Sequence, residues 1–163
     1  MLLRKGQPAP DFDVTDSEGR RICLRDLRGK KNVVLYFYPR DFTSICTTES
    51  CGFEAMYDEL THADTEIIGV SLDSDISHRE FARTHGLRFP LVSDGSKQLT
   101  RAYGALSTIR SILGRAARLT YVIDKEGLIA GVFEGELSAA PHLRGARECV
   151  TRLSSTPPPA PSS

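Results

Sequence analysis

Cys46 and Cys51 stand in the stretch Tyr38-Pro39-Arg40-Asp41-Phe42-Thr43-Ser44-Ile45-Cys46-Thr47-Thr48-Glu49-Ser50-Cys51, and their spacing makes them the residues best suited to chemistry. A polar loop precedes Cys46, and Phe53, Met56, Tyr57 and Leu60 follow at helical spacing, which predicts a helix over residues 47–60 with Glu49 in its first turn. Cys46 then lies at a loop-to-helix junction, where unpaired backbone N–H groups and the helix dipole stabilise an anion. A free cysteine is only about 3% thiolate at neutral pH, whereas a helix N-terminus or a nearby arginine can lower its pKa to ~3.5 to 7.5. Thr43 can turn its hydroxyl toward that sulfur or a bound oxygen. Pro39 ends the preceding strand and lines the loop without adding a donor. Farther along, Arg101, Arg110, Arg115 and Arg118 occur with no acid among them. A solvated loop is the plain reading there; the functional one has at least one arginine facing an anionic site.

The remaining candidates are quieter. Four cysteines in 163 residues are too sparse for a disulfide scaffold, so a pair that matters is chemical rather than structural. Cys23, between Ile22 and Leu24, and Cys149, on an amphipathic helix, read as packing thiols. His62, His78, His85 and His142 have no cysteine or histidine at ligand spacing, so surface positions and no metal are expected.

The elements that must position these residues follow from hydrophobic period. Residues 11–24 alternate, turn at Gly19 and alternate again, as a β-hairpin does. Residues 32–38 are apolar without alternation, the pattern of a strand buried on both faces, and 66–72 repeat it. A helix over 77–85 stops at Gly86, a short strand spans 89–92, a short helix 97–103, a hairpin 119–134 and a last helix 140–153. This order predicts an α/β domain over 1–153, with a central mixed sheet flanked by helices in a thioredoxin-like arrangement and an N-terminal β-hairpin. The Ser/Pro-rich residues 154–163 have nothing to bury and read as a disordered tail.

Twenty-one basic residues balance 21 acidic ones, so no field steers the protein to nucleic acid or an anionic membrane. The longest apolar run is six residues, far short of the roughly 20 a membrane helix needs. The opening MLLRKGQPAPDF has no signal-type apolar core, and a cytoplasmic home is expected.

Phe37-Tyr38-Pro39, Asp41-Phe42-Thr43, Cys46-Thr47-Thr48-Glu49 and Cys51 together resemble the peroxiredoxins, within them the peroxiredoxin Q or bacterioferritin-comigratory-protein group. Gly6 to Phe12, Gly69-Val70-Ser71 and Arg118 to Asp124 extend the resemblance over roughly residues 6–153. It implies a thiol peroxidase, free of cofactor, that reduces hydrogen peroxide and organic hydroperoxides. By resemblance, Cys46 is the peroxidatic cysteine, Thr43 and Arg118 bind and polarise the peroxide, and Pro39 shields the site. Glu49 falls where the family often has an acid that orients the arginine. Cys51 becomes the resolving cysteine, its intramolecular disulfide with Cys46 being recycled by thioredoxin or a similar dithiol, with Cys23 or Cys149 as back-up alternatives. A monomer is expected over a dimer, because both thiols are in one chain. A redox sensor or a thiol-disulfide exchange module using the same pair is the alternative; the Cys-x2-Cys of thioredoxin-type oxidoreductases and the Cys-x3-Cys of copper-delivery proteins do not match Cys-x4-Cys.

In a continuous helix, Cα atoms five residues apart lie roughly 8.7 Å from one another. A disulfide tolerates about 4.4 to 6.8 Å, so the first turns must unwind for resolution, and Gly52 lowers the cost of doing so. The family's usual Thr-Pro-Gly-Cys is here Thr43-Ser44-Ile45-Cys46. If that glycine sits at positive φ, Ile45 is strained.

Overall fold

All six side chains of the strand Asn32–Phe37 are buried, and the two-residue period of a strand sends alternate ones to opposite faces. A computed structural model, which describes residues 2–155, places it at the middle of a five-stranded sheet. In chain order the elements are β1 (Asp13–Thr15), β2 (Arg21–Cys23), α1 (Leu24–Leu27), β3 (Asn32–Phe37), α2 (Ser44–Ala55), α3 (Tyr57–His62) and β4 (Thr65–Ser71). There follow α4 (Asp75–His85), β5 (Leu91–Ser93), α5 (Gln98–Ala102), α6 (Thr108–Leu113), β6 (Leu119–Ile123), β7 (Ile129–Glu134) and α7 (Ala140–Ser155). The sheet order is β5-β4-β3-β6-β7, parallel across β5, β4 and β3 and antiparallel across β3, β6 and β7. β1 and β2 form the separate antiparallel hairpin. The expected mixed sheet with helices on its faces and an N-terminal hairpin is therefore what the chain adopts.

The alternation along β3 creates two cores. Val33, Leu35 and Phe37 face one, closed by Phe12, Leu24, Leu99 and Tyr103. Val34, Tyr36 and Tyr38 face the other, closed by Phe53 of α2, Leu60 of α3, Phe81 of α4 and Val150 of α7. Burying an aromatic or branched side chain contributes about 1.5 to 3 kcal/mol, so this second core fixes α2 against the sheet. α2 and α7 also touch at Gly52, where a Cβ would overlap the side chain of Leu143.

Several boundaries differ from expectation. The helix expected over 47–60 starts at Ser44 and breaks at Met56 (φ −95°, ψ 1°) before α3. Cys46 thus sits inside the first turn rather than ahead of it. β5 begins at Leu91 rather than residue 89, because Pro90 has no N–H to give a ladder. The short helix α1 was not anticipated. Nor was α6, within the arginine-bearing stretch expected as loop: Ile109, Ile112 and Leu113 follow helical spacing yet all stay exposed, so they build no core. Ile45 is helical, and the left-handed residue of this region is Phe42 (φ 64°). The strain expected at Ile45 is absent because the turn into α2 is made three residues earlier. α7 extends to Ser155, and residues 156–163 of the expected tail lie outside the described residues.

Candidate active site

The pairing of Phe37 with Leu119 across β3 and β6 brings Arg118 beside the end of β3, where the chain turns through Pro39 to Thr43 into α2. Cys46, third residue of α2, is fully buried there. The Arg118 guanidinium spans two groups on one face of α2: Nη2–H donates to Cys46 Sγ at 3.0 Å and Nη1–H to Glu49 Oε1 at 2.8 Å. Glu49 follows Cys46 by three residues, which puts both on the same side of the helix. Glu136, just beyond β7, holds the arginine from behind. Its carbonyl accepts from Arg118 Nε at 3.3 Å, and its Oε1 accepts from the Arg118 backbone N–H at 3.1 Å and from Arg110 of α6 at 2.9 Å.

Burial pushes the Glu49 carboxyl up to about 7 against the opposing pull of Arg118. Burial also works against the charge on Arg118, but Glu49 and the Cys46 sulfur outweigh it and hold the guanidinium above its ordinary value. A cation in hydrogen-bond contact with a buried sulfur stabilises negative charge on it, the state in which sulfur is a nucleophile.

Of the residues singled out from sequence, Cys46, Glu49 and Arg118 meet. Thr43 caps α2, and its exposed hydroxyl donates to the Arg40 carbonyl at 2.9 Å instead of bonding the sulfur. Pro39, half-buried, follows β3. Cys51 lies two-thirds of the way along α2, half-buried and unbridged, in the same continuous helix as Cys46. Burial pushes its thiol above the ordinary value, and Glu54 adds to this. Cys149 is buried in the second core and Cys23 is half-buried. A surface groove of about 720 Å3 lies between Met56, just past the C-terminal end of α2, and the Arg144–Arg147 side of α7, and Cys46 does not line it.

The expectation of surface histidines fails at two positions. His78 and His142 are fully buried, because each finds polar partners on elements distant in sequence. His78 Nδ1–H donates to Asp41 at 2.7 Å, and Asp41 also accepts from the hydroxyls of Tyr38 (2.6 Å) and Ser77 (2.8 Å). The Asp41 N–H donates to Asp73 at 2.7 Å, so both backbone and side chain anchor the loop before Cys46. The ligand-type atoms of Asp41, Asp73 and His78 lie within 4.8 Å of one another, and every contact described among them is a hydrogen bond. His142, on α7, donates Nε2–H to the Gly135 carbonyl and accepts the Thr120 hydroxyl at Nδ1, both at 2.8 Å. Its Nδ1 also lies 3.6 Å from Glu49 Oε2. Sequence reasoning missed Glu136 and His142, whose relation to Cys46 exists only once β7 and α7 are folded onto β6.

Residues 5–132 match the AhpC/TSA family. Over 141 residues the chain is 37% identical to the chloroplastic peroxiredoxin Q of Sedum lineare, covering 86% of this chain and 74% of that one. Among solved structures, peroxidoxin BcpB of Mycobacterium tuberculosis superposes with a TM-score of 0.84 at 27% identity, over 93% of this chain and 98% of its own. The Xanthomonas campestris bacterioferritin comigratory protein, solved for insight into its alkyl peroxide reduction activity, gives 0.79 at 30% identity over 88% and 92%. With a cysteine, a carboxylate and an arginine gathered at the start of α2 and these likenesses spanning most of its length, the chain belongs to the AhpC/TSA family, among the peroxiredoxins of the peroxiredoxin Q and bacterioferritin-comigratory group.

Proposed function

We propose that this chain reduces hydroperoxides with Cys46 as the peroxidatic thiol, Cys51 as the resolving thiol and a thioredoxin-type dithiol as the reductant. The observation that carries the reading is the Arg118 guanidinium bridging Cys46 Sγ and Glu49. The Cys46 thiolate attacks the terminal peroxide oxygen, the O–O bond breaks, and the alkoxide or hydroxide leaves and takes up a proton as alcohol or water. The sulfur, oxidised by two electrons, is then a sulfenic acid. Arg118 stabilises the oxygen charge as that bond breaks. Thr43, whose proton is engaged by Arg40, keeps oxygen lone pairs to accept from the peroxide O–H. Cys46 is fully covered, and in this reading Pro39 and the loop to Thr43 shield the sulfur and yield for substrate to enter.

In resolution the Cys51 thiol attacks the sulfenic sulfur, forming a disulfide and releasing water. α2 unwinds between them, since about 8.7 Å exceeds the separation a disulfide spans. A dithiol then reduces the bridge and is itself oxidised. The alkyl peroxide reduction activity of the Xanthomonas relative supports organic hydroperoxides beside hydrogen peroxide as substrates. With both thiols in one chain, a monomer suffices, and recycling by a dithiol suits the cytoplasm.

The test follows NADPH oxidation through thioredoxin and its reductase after mixing reduced protein with hydrogen peroxide or an organic hydroperoxide. Repeated turnover is expected. Cys46→Ser abolishes it; Cys51→Ser allows one oxidation and accumulates a species trapped by dimedone. Turnover surviving in Cys46→Ser refutes the assignment, and a single oxidation without recycling replaces it by a redox sensor.

A further inference from the structure

Glu49 Oε2 is buried with no hydrogen-bond partner described, while Oε1 of the same carboxyl is engaged by Arg118. An ionised carboxylate left half-bonded in a dry site is costly, and a proton on the open oxygen would make it a donor in search of an acceptor. The acceptor facing it is on α7. His142 gives Nε2–H to Gly135, which leaves Nδ1 as the ring's lone-pair nitrogen, 3.6 Å from Oε2. Burial also keeps that ring below its ordinary value, hence neutral.

We propose that His142 is a positioning residue for the active-site arginine: its Nδ1 takes a hydrogen bond from protonated Glu49, and the proton held there sets how much of the Arg118 charge is left for the Cys46 sulfur and the peroxide. A small closure of the 3.6 Å gap makes the bond, with Thr120 turning its hydroxyl away from Nδ1. With Glu49 ionised, Arg118 is half neutralised by its neighbour; with Glu49 protonated, the guanidinium faces the sulfur as a full charge. The groups facing Glu49 are Cys46 one turn earlier on α2, Tyr36 on β3, Arg118 at the start of β6, Glu136 beyond β7 and His142 on α7. This rests on the site proposed above, although its primary readout needs no peroxide.

The experiment is infrared difference spectroscopy of the protonated carboxyl band on full-length reduced protein, titrated with pH and assigned by its loss in Glu49→Gln. Burial of Glu49 against the pull of Arg118 sets a midpoint near 7, and the bond to His142 raises it further in the wild type. His142→Phe removes the acceptor, so the midpoint falls by about 0.4 to 1.1 in pH, the worth of one hydrogen bond. His142→Asn, whose oxygen overlays Nδ1, restores it, and the pH profile of Cys46 oxidation shifts alongside. An unmoved midpoint in a folded His142→Phe overturns the proposal. A raised midpoint also overturns it, because that is the sign of a protonated histidine pairing with carboxylate. Where His142→Phe does not fold, a His142→Asn midpoint no closer to wild type than that of His142→Ala has the same force.

Discussion

Replacing Arg118 by methionine keeps most of the apolar stem of the side chain and removes its charged end, which isolates the contact on which the proposed chemistry depends. At 3.0 Å and an effective dielectric of about 20, the guanidinium and a full negative charge on Cys46 Sγ attract by about 5.5 kcal/mol. Water entering the gap and the spreading of charge over the peroxide oxygens in the transition state return part of this. The expected loss is therefore that of one preorganised donor, about 2.7 to 4 kcal/mol, or about 100- to 1000-fold in the second-order rate constant. The same substitution strips Glu49 of its cation, and breaking a buried pair costs about 3 to 5 kcal/mol unless the carboxyl takes up a proton. The two effects separate in the Glu49→Gln/Arg118→Met double variant, which regains stability but not rate. Stopped-flow oxidation of Cys46 by hydrogen peroxide at neutral pH, with urea denaturation of each variant, reads both quantities. An Arg118→Met rate within about fivefold of wild type, in a protein of wild-type stability, refutes the reasoning. Arg118→Lys falls between them, because one ammonium cannot fork to sulfur and carboxylate together.

Burial of Glu49 also has a signature in stability. Its carboxyl titrates at about 7 in the folded protein against an ordinary 4.5, so the native state holds the extra proton between those values. Stability is then lost as pH rises from 4.5 to 7, by about 3 kcal/mol, and the Glu49→Gln variant lacks that decline. Parallel urea midpoints for the two proteins across this window would argue against it. Gly52 tests what the middle of α2 is for. Alanine there gains about 0.5 to 1 kcal/mol of helix propensity, but its Cβ presses on Leu143 of α7, an overpacking worth about 1 to 3 kcal/mol. A net loss of about 1 kcal/mol by thermal denaturation is expected; a gain shows that Gly52 serves only to soften the helix.

What the sequence made legible divides by distance along the chain. Pro39, Thr43, Cys46, Glu49 and Cys51 lie within one stretch of 13 residues, and their spacing around a strand end and a helix start carries most of the proposed chemistry. The sheet was legible for a similar reason: β3 and β4 announce themselves as runs of buried apolar residues. Arg118 is 72 residues from Cys46, and it was found only because the family resemblance reached that far. Nothing in its own neighbourhood marks it among four arginines. The plain reading of that stretch as solvated loop holds for Arg115, keeps only the exposure of Arg101, which sits on α5, and fails for Arg118 because the β3–β6 register turns it inward.

Glu136 and His142 were illegible on the same grounds. Each is an ordinary polar residue at the end of an element, and its importance comes from β7 and α7 returning to cover the arginine. Buried polar groups need partners, and those partners are supplied by topology rather than by sequence neighbours. The consequence reaches the mechanism. In the proposed cycle, the half of the site that reacts is built on the first turn of α2, the segment that unwinds for Cys46 to meet Cys51. The half that holds Arg118 is built on β6, β7 and α7, which need not move. If α2 opens as proposed, the sulfur leaves a guanidinium still held by Glu136, and the site is ready to receive Cys46 again once the proposed disulfide is reduced.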